Sequence, residues 1–140
     1  KAIRRQRQMC IRDRVMDTEG GRTAEIIQTV KADTVGGEGS ADIHLSPDGR
    51  FLYASCRIKS DGLAVFRVSA ETGKIERTGY CPTGKHPRNF AITPNGRYIL
   101  VACRDENAIE IYSVDKDTGM PVDTGKRIPA KAPVCVRWIK

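Results

Sequence analysis

Apolar residues fall along this chain in short runs separated by turn-forming residues, and no stretch repeats at the helical period of 3.6. Ala41–Leu45 (ADIHL), Phe51–Arg57 (FLYASCR), Leu63–Val68 (LAVFRV) and Lys74–Tyr80 (KIERTGY) each have the length and composition of a strand. The segments between them carry turn chemistry. In Pro47-Asp48-Gly49, proline sets the entry, aspartate tolerates turn backbone and glycine takes a positive φ. Glu71-Thr72-Gly73 is a second turn of this kind. Ahead of these, Thr23–Val30 (TAEIIQTV) fits a further strand. The predicted class is all-β, with turns every ~8–12 residues.

The pattern then repeats. SPDGRFLYASCR (Ser46–Arg57) returns as TPNGRYILVACR (Thr93–Arg104), and LAVFRVSAETGKI (Leu63–Ile75) as IEIYSVDKDTGMP (Ile109–Pro121). Upstream, ADIHL matches RNFAI (Arg88–Ile92), and a truncated third copy opens at Ala132–Ile139 (APVCVRWI), where Pro133 matches Pro87. Self-similarity at 40–50 residues marks solenoids and propellers, and four antiparallel strands per unit make a β-propeller blade. Thr23–Val30 is then the fourth strand of a preceding blade. Propellers close with about 4–8 blades, and this chain accounts for two to three. It therefore reads as the C-terminal piece of a longer protein, whose N-terminal blades would be its first partner. The terminal PVCVRWI is expected to be an inner strand that completes a shared blade. Standing alone, the piece is expected to be poorly stable, because uncovered sheet faces and strand edges favour aggregation.

Charge changes this picture only at one end. The formal net charge is +7, but Lys1–Arg14 alone holds six basic residues and one acid, leaving 18 basic and 16 acidic side chains elsewhere. Residues 1–14 are read as either a disordered basic arm or non-native sequence. Gln8–Arg14 (QMCIRDR) resembles the translation of a sequencing-adapter end. The propeller domain is assigned to 15–140. With the basic excess confined to the arm, the fold itself offers no case for a nucleic-acid partner. No apolar run approaches the ~20 residues of a membrane span. Of five cysteines, Cys56 and Cys103 occupy one repeat position, which suits small packing residues better than a zinc site or disulfide framework. A cytoplasmic location is expected, with a periplasmic one left open by the unseen native N-terminus.

The ordered set Ala41-Asp42-Ile43-His44, Ser46-Pro47-Asp48-Gly49, Tyr53-Ala54-Ser55, Arg57 and His86-Pro87-Arg88 resembles the lactonase-type seven-bladed propeller family. Cys56 stands where that family more often has asparagine. The resemblance implies hydrolysis of a sugar lactone, 6-phospho-D-glucono-1,5-lactone to 6-phosphogluconate, in the pentose phosphate pathway. Relatives with cycloisomerase chemistry on muconate lactones leave a second activity open, and a non-enzymatic binding platform is a third reading. The resemblance also implies a catalytic His and Glu and a further Arg in upstream blades. Motifs of the His-Pro-His, Gly-Pro-Arg-His and Asn-Glu-Leu kind are not found here, so this piece alone is expected to be inactive.

Propeller chemistry gathers where the first inner strand starts and the second ends. Asp42 and His44 are expected at one such start and Arg57 at the matching end, with Lys85, His86, Arg88 and Arg104 in the next blade. Arginine offers a bidentate fork to an anionic lactone, and histidine can activate water. Arg57 and His86 are the candidate catalytic residues. Arg57, Arg88, His44 and Asp42 are the candidate substrate contacts. By the resemblance, Arg57 holds substrate negative charge, whereas Arg104 has no catalytic counterpart. Gly36–Gly39 lacks the lysine and helix of a phosphate loop and reads as a connector. No spacing supports a metal site, and no cofactor is expected.

Overall fold

A computed structural model describes residues 12–17, 25–32, 34–36 and 38–139. Most of the basic arm lies outside the described residues; Arg12–Arg14 falls within the first strand.

Three antiparallel sheets follow one another. β1 (Arg12–Asp17) and β2 (Glu25–Lys31) form a hairpin. The first blade is the meander β3 (Gly39–Leu45), β4 (Phe51–Arg57), β5 (Gly62–Val68) and β6 (Ile75–Pro82). The second is β7 (Pro87–Ile92), β8 (Tyr98–Cys103), β9 (Ala108–Val114) and β10 (Pro121–Pro129), with a short 3-10 turn at Arg104–Glu106.

The duplicated phrase is a duplicated hydrogen-bond network. The Ser46 hydroxyl donates to Asp48 Oδ1 (2.5 Å) and accepts from Phe51 N–H (3.0 Å), while Asp48 Oδ1 accepts from Arg50 N–H (3.1 Å). Thr93 and Asn95 repeat all three bonds, to Asn95 Oδ1 (2.7 Å), Tyr98 N–H (3.0 Å) and Arg97 N–H (3.0 Å). Gly49 and Gly96 close the two turns at φ +73° and +69°, where an L side chain is strained.

Two-residue alternation assigns each side chain a face. Leu52, Ala54 and Cys56 of β4 meet Ala64 and Phe66 of β5 in a core completed by Ile27, Val30 and Ala32 of the hairpin side. Phe51 and Tyr53 turn the other way and join Leu63 and Val65 against Phe90, Ile99, Val101, Cys103 and Tyr112 of the second blade. Phe51 is thereby 3% exposed; Tyr98, its repeat equivalent on the far face of the second blade, is 42% exposed. Cys56 and Cys103 are both fully buried in these layers.

Residues 130–139 form no strand, contrary to expectation. A strand requires a backbone ladder; this segment bonds backbone to backbone at Ala130 N–H, to the Asn107 carbonyl (3.0 Å), and is otherwise held by side-chain bonds. Asn89 Oδ1 accepts from Val136 N–H (2.7 Å), and Trp138 Nε1–H donates to the Ile92 carbonyl (2.7 Å). Asn89 in turn donates from Nδ2 to Asp42 Oδ2, so positions 42, 89 and 136 form a chain across three successive repeats.

Candidate functional site

Arg57 closes β4 opposite Gly39, on the face shared with Phe51, Tyr53 and Ser55. That face looks toward the second blade, and its guanidinium meets the loop entering β7. Arg57 Nη1–H donates to His86 Nε2 at 3.0 Å, and Arg57 Nε lies 3.5 Å from the Ser40 carbonyl. On the other side of the ring, His86 Nδ1 lies 3.3 Å from Arg104 Nη2 and 3.5 Å from Asp105 Oδ2. Arg104 Nε–H donates to Asp105 Oδ1 at 2.7 Å.

Two guanidiniums flank one imidazole. Arginine only donates, so the shorter contact, from Arg57, is served by a lone pair on Nε2; the Nδ1–H tautomer this assigns faces Asp105 at the expense of the longer Arg104 contact. A second proton would create a cation between two others. Burial is the largest effect holding the His86 pKa below its ordinary value, followed by Arg104; Asp105 opposes them, and Arg57 and Arg88 add further depression. Hydrogen bonding to Arg104 lowers the Asp105 carboxyl in its turn.

A pH dependence follows. If neutral His86 is the working form, kcat/KM of the complete protein falls on the acid side with a midpoint below the ordinary histidine value of about 6.5. Arg104→Gln should move that midpoint upward. Folding follows the same sign: the unfolded chain protonates first, so stability is full above about pH 6.5 and is lost as pH falls toward the lower folded pKa. An acid limb at or above the ordinary value, unmoved by R104Q, would contradict this.

The remaining candidates distribute differently. The expectation that Asp42 and His44 lie at the start of the inner strand is corrected: β3 begins at Gly39, and His44 pairs with Tyr53, roughly 15 Å further along. His44 Nε2 bonds Asp42 Oδ2 at 2.8 Å, and its ring stands edge-on to Phe90 at 4.9 Å. Asp42 is nearly buried and ties the blades together through Asn89. Arg88 is exposed. It is the unpaired residue of a bulge, since Pro87 pairs with Cys103 and Asn89 with Ala102. Such a bulge breaks the alternation of β7 and re-aims the side chain.

Sequence reasoning missed Asp105 and Glu110. Glu110 is 5% exposed, and its Oε2 accepts from Gly84 N–H (2.9 Å) and the Tyr112 hydroxyl (2.5 Å), with Arg127 Nε 3.1 Å from Oε1. It pins the loop two residues before His86. A Cβ on Gly84 would come within 2.7 Å of that carboxylate, so the close approach requires glycine. The signal was present in the repeat: Glu110 replaces Ala64, an apolar position of the first copy.

Comparison with known proteins gives a consistent result. A family model described as "Lactonase, 7-bladed beta-propeller" matches residues 15–138. The chain is 49% identical over 82 residues to a 6-phosphogluconolactonase of Formosa agariphila, covering 57% of this chain and 23% of that protein. Against a Serratia proteamaculans protein of the same name it is 34% identical over 122 residues, covering 85% and 37%. A Bacteroides fragilis crystal structure provisionally assigned that activity superposes with a TM-score of 0.90 at 48% identity, covering 94% of this chain and 37% of the other. The periplasmic gluconolactonase of Pseudomonas aeruginosa gives 0.87 at 27% identity, covering 94% and 38%. The chain thus spans under two fifths of the length of each of these proteins.

Proposed function

The chain belongs to the seven-bladed lactonase propeller family, and from that premise we propose that its blades form part of an enzyme hydrolysing an anionic sugar lactone. The observation that carries this reading is the Arg57–His86 contact at 3.0 Å across the blade boundary. It joins a guanidinium suited to a phosphate or a developing oxyanion to an imidazole held neutral.

The reaction needs water to attack the lactone carbonyl, the ring C–O bond to break, and a proton to reach the departing ring oxygen. His86 can take the proton from water at Nε2 and return it to that oxygen. Arg57 Nη1–H lies against the same lone pair. A substrate anion competing for the Arg57 fork would withdraw it from Nε2 and expose the base, so binding and activation are coupled. Arg88, exposed beside this loop, supplies a further cation for a phosphorylated substrate. Asp42 and His44 take a supporting part, since their hydrogen bonds go to each other and to the neighbouring blade.

The relatives' names divide between phosphorylated and unphosphorylated lactones, which sets the test. Purified complete protein is offered 6-phosphoglucono-1,5-lactone and glucono-1,5-lactone, and acid release is followed above the spontaneous rate. Acceleration of the phosphorylated lactone by at least tenfold in kcat/KM over the other supports the reading. Acceleration of neither lactone would overturn it.

A further inference from the structure

Three non-glycine residues around the candidate site have positive φ: Ile58 (+65°), Lys59 (+73°) and His86 (+60°). For a β-branched residue such as Ile58 this conformation is an outlier, which persists only where surrounding bonds impose it. Ile58 directly follows Arg57, so the strain sits at both roots of the Arg57–His86 pair. One carboxylate oxygen meets both roots. Asp61 Oδ1 accepts from Ile58 N–H at 3.2 Å and from His86 N–H at 3.1 Å, across the boundary between the blades. The Asp61 carbonyl accepts from Thr83 N–H at 3.2 Å, and the Ile58 carbonyl accepts from Glu38 N–H at 3.0 Å.

The second repeat contains the cross-blade half of this staple without the chemistry; Asp105 N–H, the counterpart of Ile58 N–H, goes to the Lys85 carbonyl at 3.4 Å instead. Asn107 occupies the position of Asp61, and its Oδ1 accepts from Ala132 N–H at 3.0 Å; Ala132 also has positive φ (+43°) and stands where the first repeat has His86. The Asn107 carbonyl accepts from Ala130 N–H at 3.0 Å, as that of Asp61 does from Thr83. An amide oxygen therefore suffices for the bond. What differs in the first repeat is the pair it holds.

We propose that Asp61 is a positioning residue, whose side-chain oxygen sets the distance between the Arg57 guanidinium and the His86 ring by fixing the backbone at both. This deepens the hydrolytic reading above and rests on it for its kinetic consequence only. The bonds of the Asp61 carboxylate go to backbone N–H groups of Ile58 and His86 rather than to the guanidinium or the ring. Asp61 acts through the two residues it anchors, and a displacement of about 1 Å at such groups can cost ~10²-fold in rate.

The test compares Asp61→Ala, Asp61→Asn and Asp61→Glu in the complete protein by two readouts. The first is the NMR titration of the His86 imidazole, assigned with a His86→Gln variant; Arg57, Arg88, Arg104 and Asp105 are the charged groups that act on it. The second is the separation of kcat from KM for the lactone. D61A is expected to move the His86 titration toward the ordinary histidine value and to lower kcat/KM by ~10²-fold. D61N keeps an acceptor oxygen at the same place and should restore both. D61E keeps a carboxylate for folding but displaces the acceptor by one methylene, so it should behave like D61A. A folded D61A or D61E with the parental titration overturns the proposal, as does a D61N that fails to restore it. Should the titration move in a protein that hydrolyses no lactone, the positioning role stands and the hydrolytic reading fails.

Discussion

Arg57→Ala in the complete protein is expected to lower kcat/KM for an anionic lactone by about 10²–10³-fold, the usual consequence of deleting one preorganised donor. Three effects act together. The substrate loses a planar fork that can hold two oxygens at once. Nε2 of His86 loses the donor 3.0 Å away that orients its ring. One of the positive charges depressing the imidazole also disappears, so the acid limb of the pH profile should shift upward. Arg57→Lys separates these effects. It retains the charge and so should leave the acid limb nearly in place, but it loses the fork and should still cost about tenfold or more. Steady-state kinetics of the three proteins across pH decide the matter. An R57A enzyme within threefold of the parent would remove Arg57 from the site.

Phe90→Ala is expected to destabilise the protein by about 3–5 kcal/mol, the range for truncating a buried aromatic side chain. Phe90 is fully buried in the layer joining the two blades, opposite Val101 in its own sheet and edge-on to the His44 ring. Its removal would leave a cavity at a boundary that the Asp42–Asn89 bond also spans. Phe90→Leu, which keeps most of the volume, should cost under about 1.5 kcal/mol. Urea denaturation at constant slope measures both. An F90A midpoint equivalent to less than 1 kcal/mol would show that the inter-blade layer is not where stability resides.

Because the same layer carries the Arg57–His86 contact, stability and chemistry are linked by position. The face of β4 that buries Phe51 and Tyr53 is the face that ends in Arg57. Loosening the blades should therefore weaken the site before either sheet melts. F90A is expected to raise KM at temperatures well below its unfolding transition.

Much of this architecture was legible because it is written in local chemistry. The Ser46–Asp48 and Thr93–Asn95 turns and the positive-φ glycines each involve neighbours in sequence, so the repeat announced the blades directly. Reading failed where the strand pattern is interrupted. The bulge opposite Ser55 lies between the strand start at Gly39 and the positions of Asp42 and His44, which therefore sit away from the expected end. A bulge adds one residue to a strand without any signature in composition.

The site itself belongs to the tertiary level. Arg57 and His86 are 29 residues apart, and Gly84 and Glu110 are 26 apart; nothing in either segment specifies the other. Sequence by itself determined that the chain makes four-stranded blades, since hydrogen bonds within turns and hairpins close over a few residues. Only the stacking of one blade on the next decided which arginine faces which histidine. That register is set by interlocked side chains such as Phe90 and by staples such as Asp61, and these act between strands rather than along them.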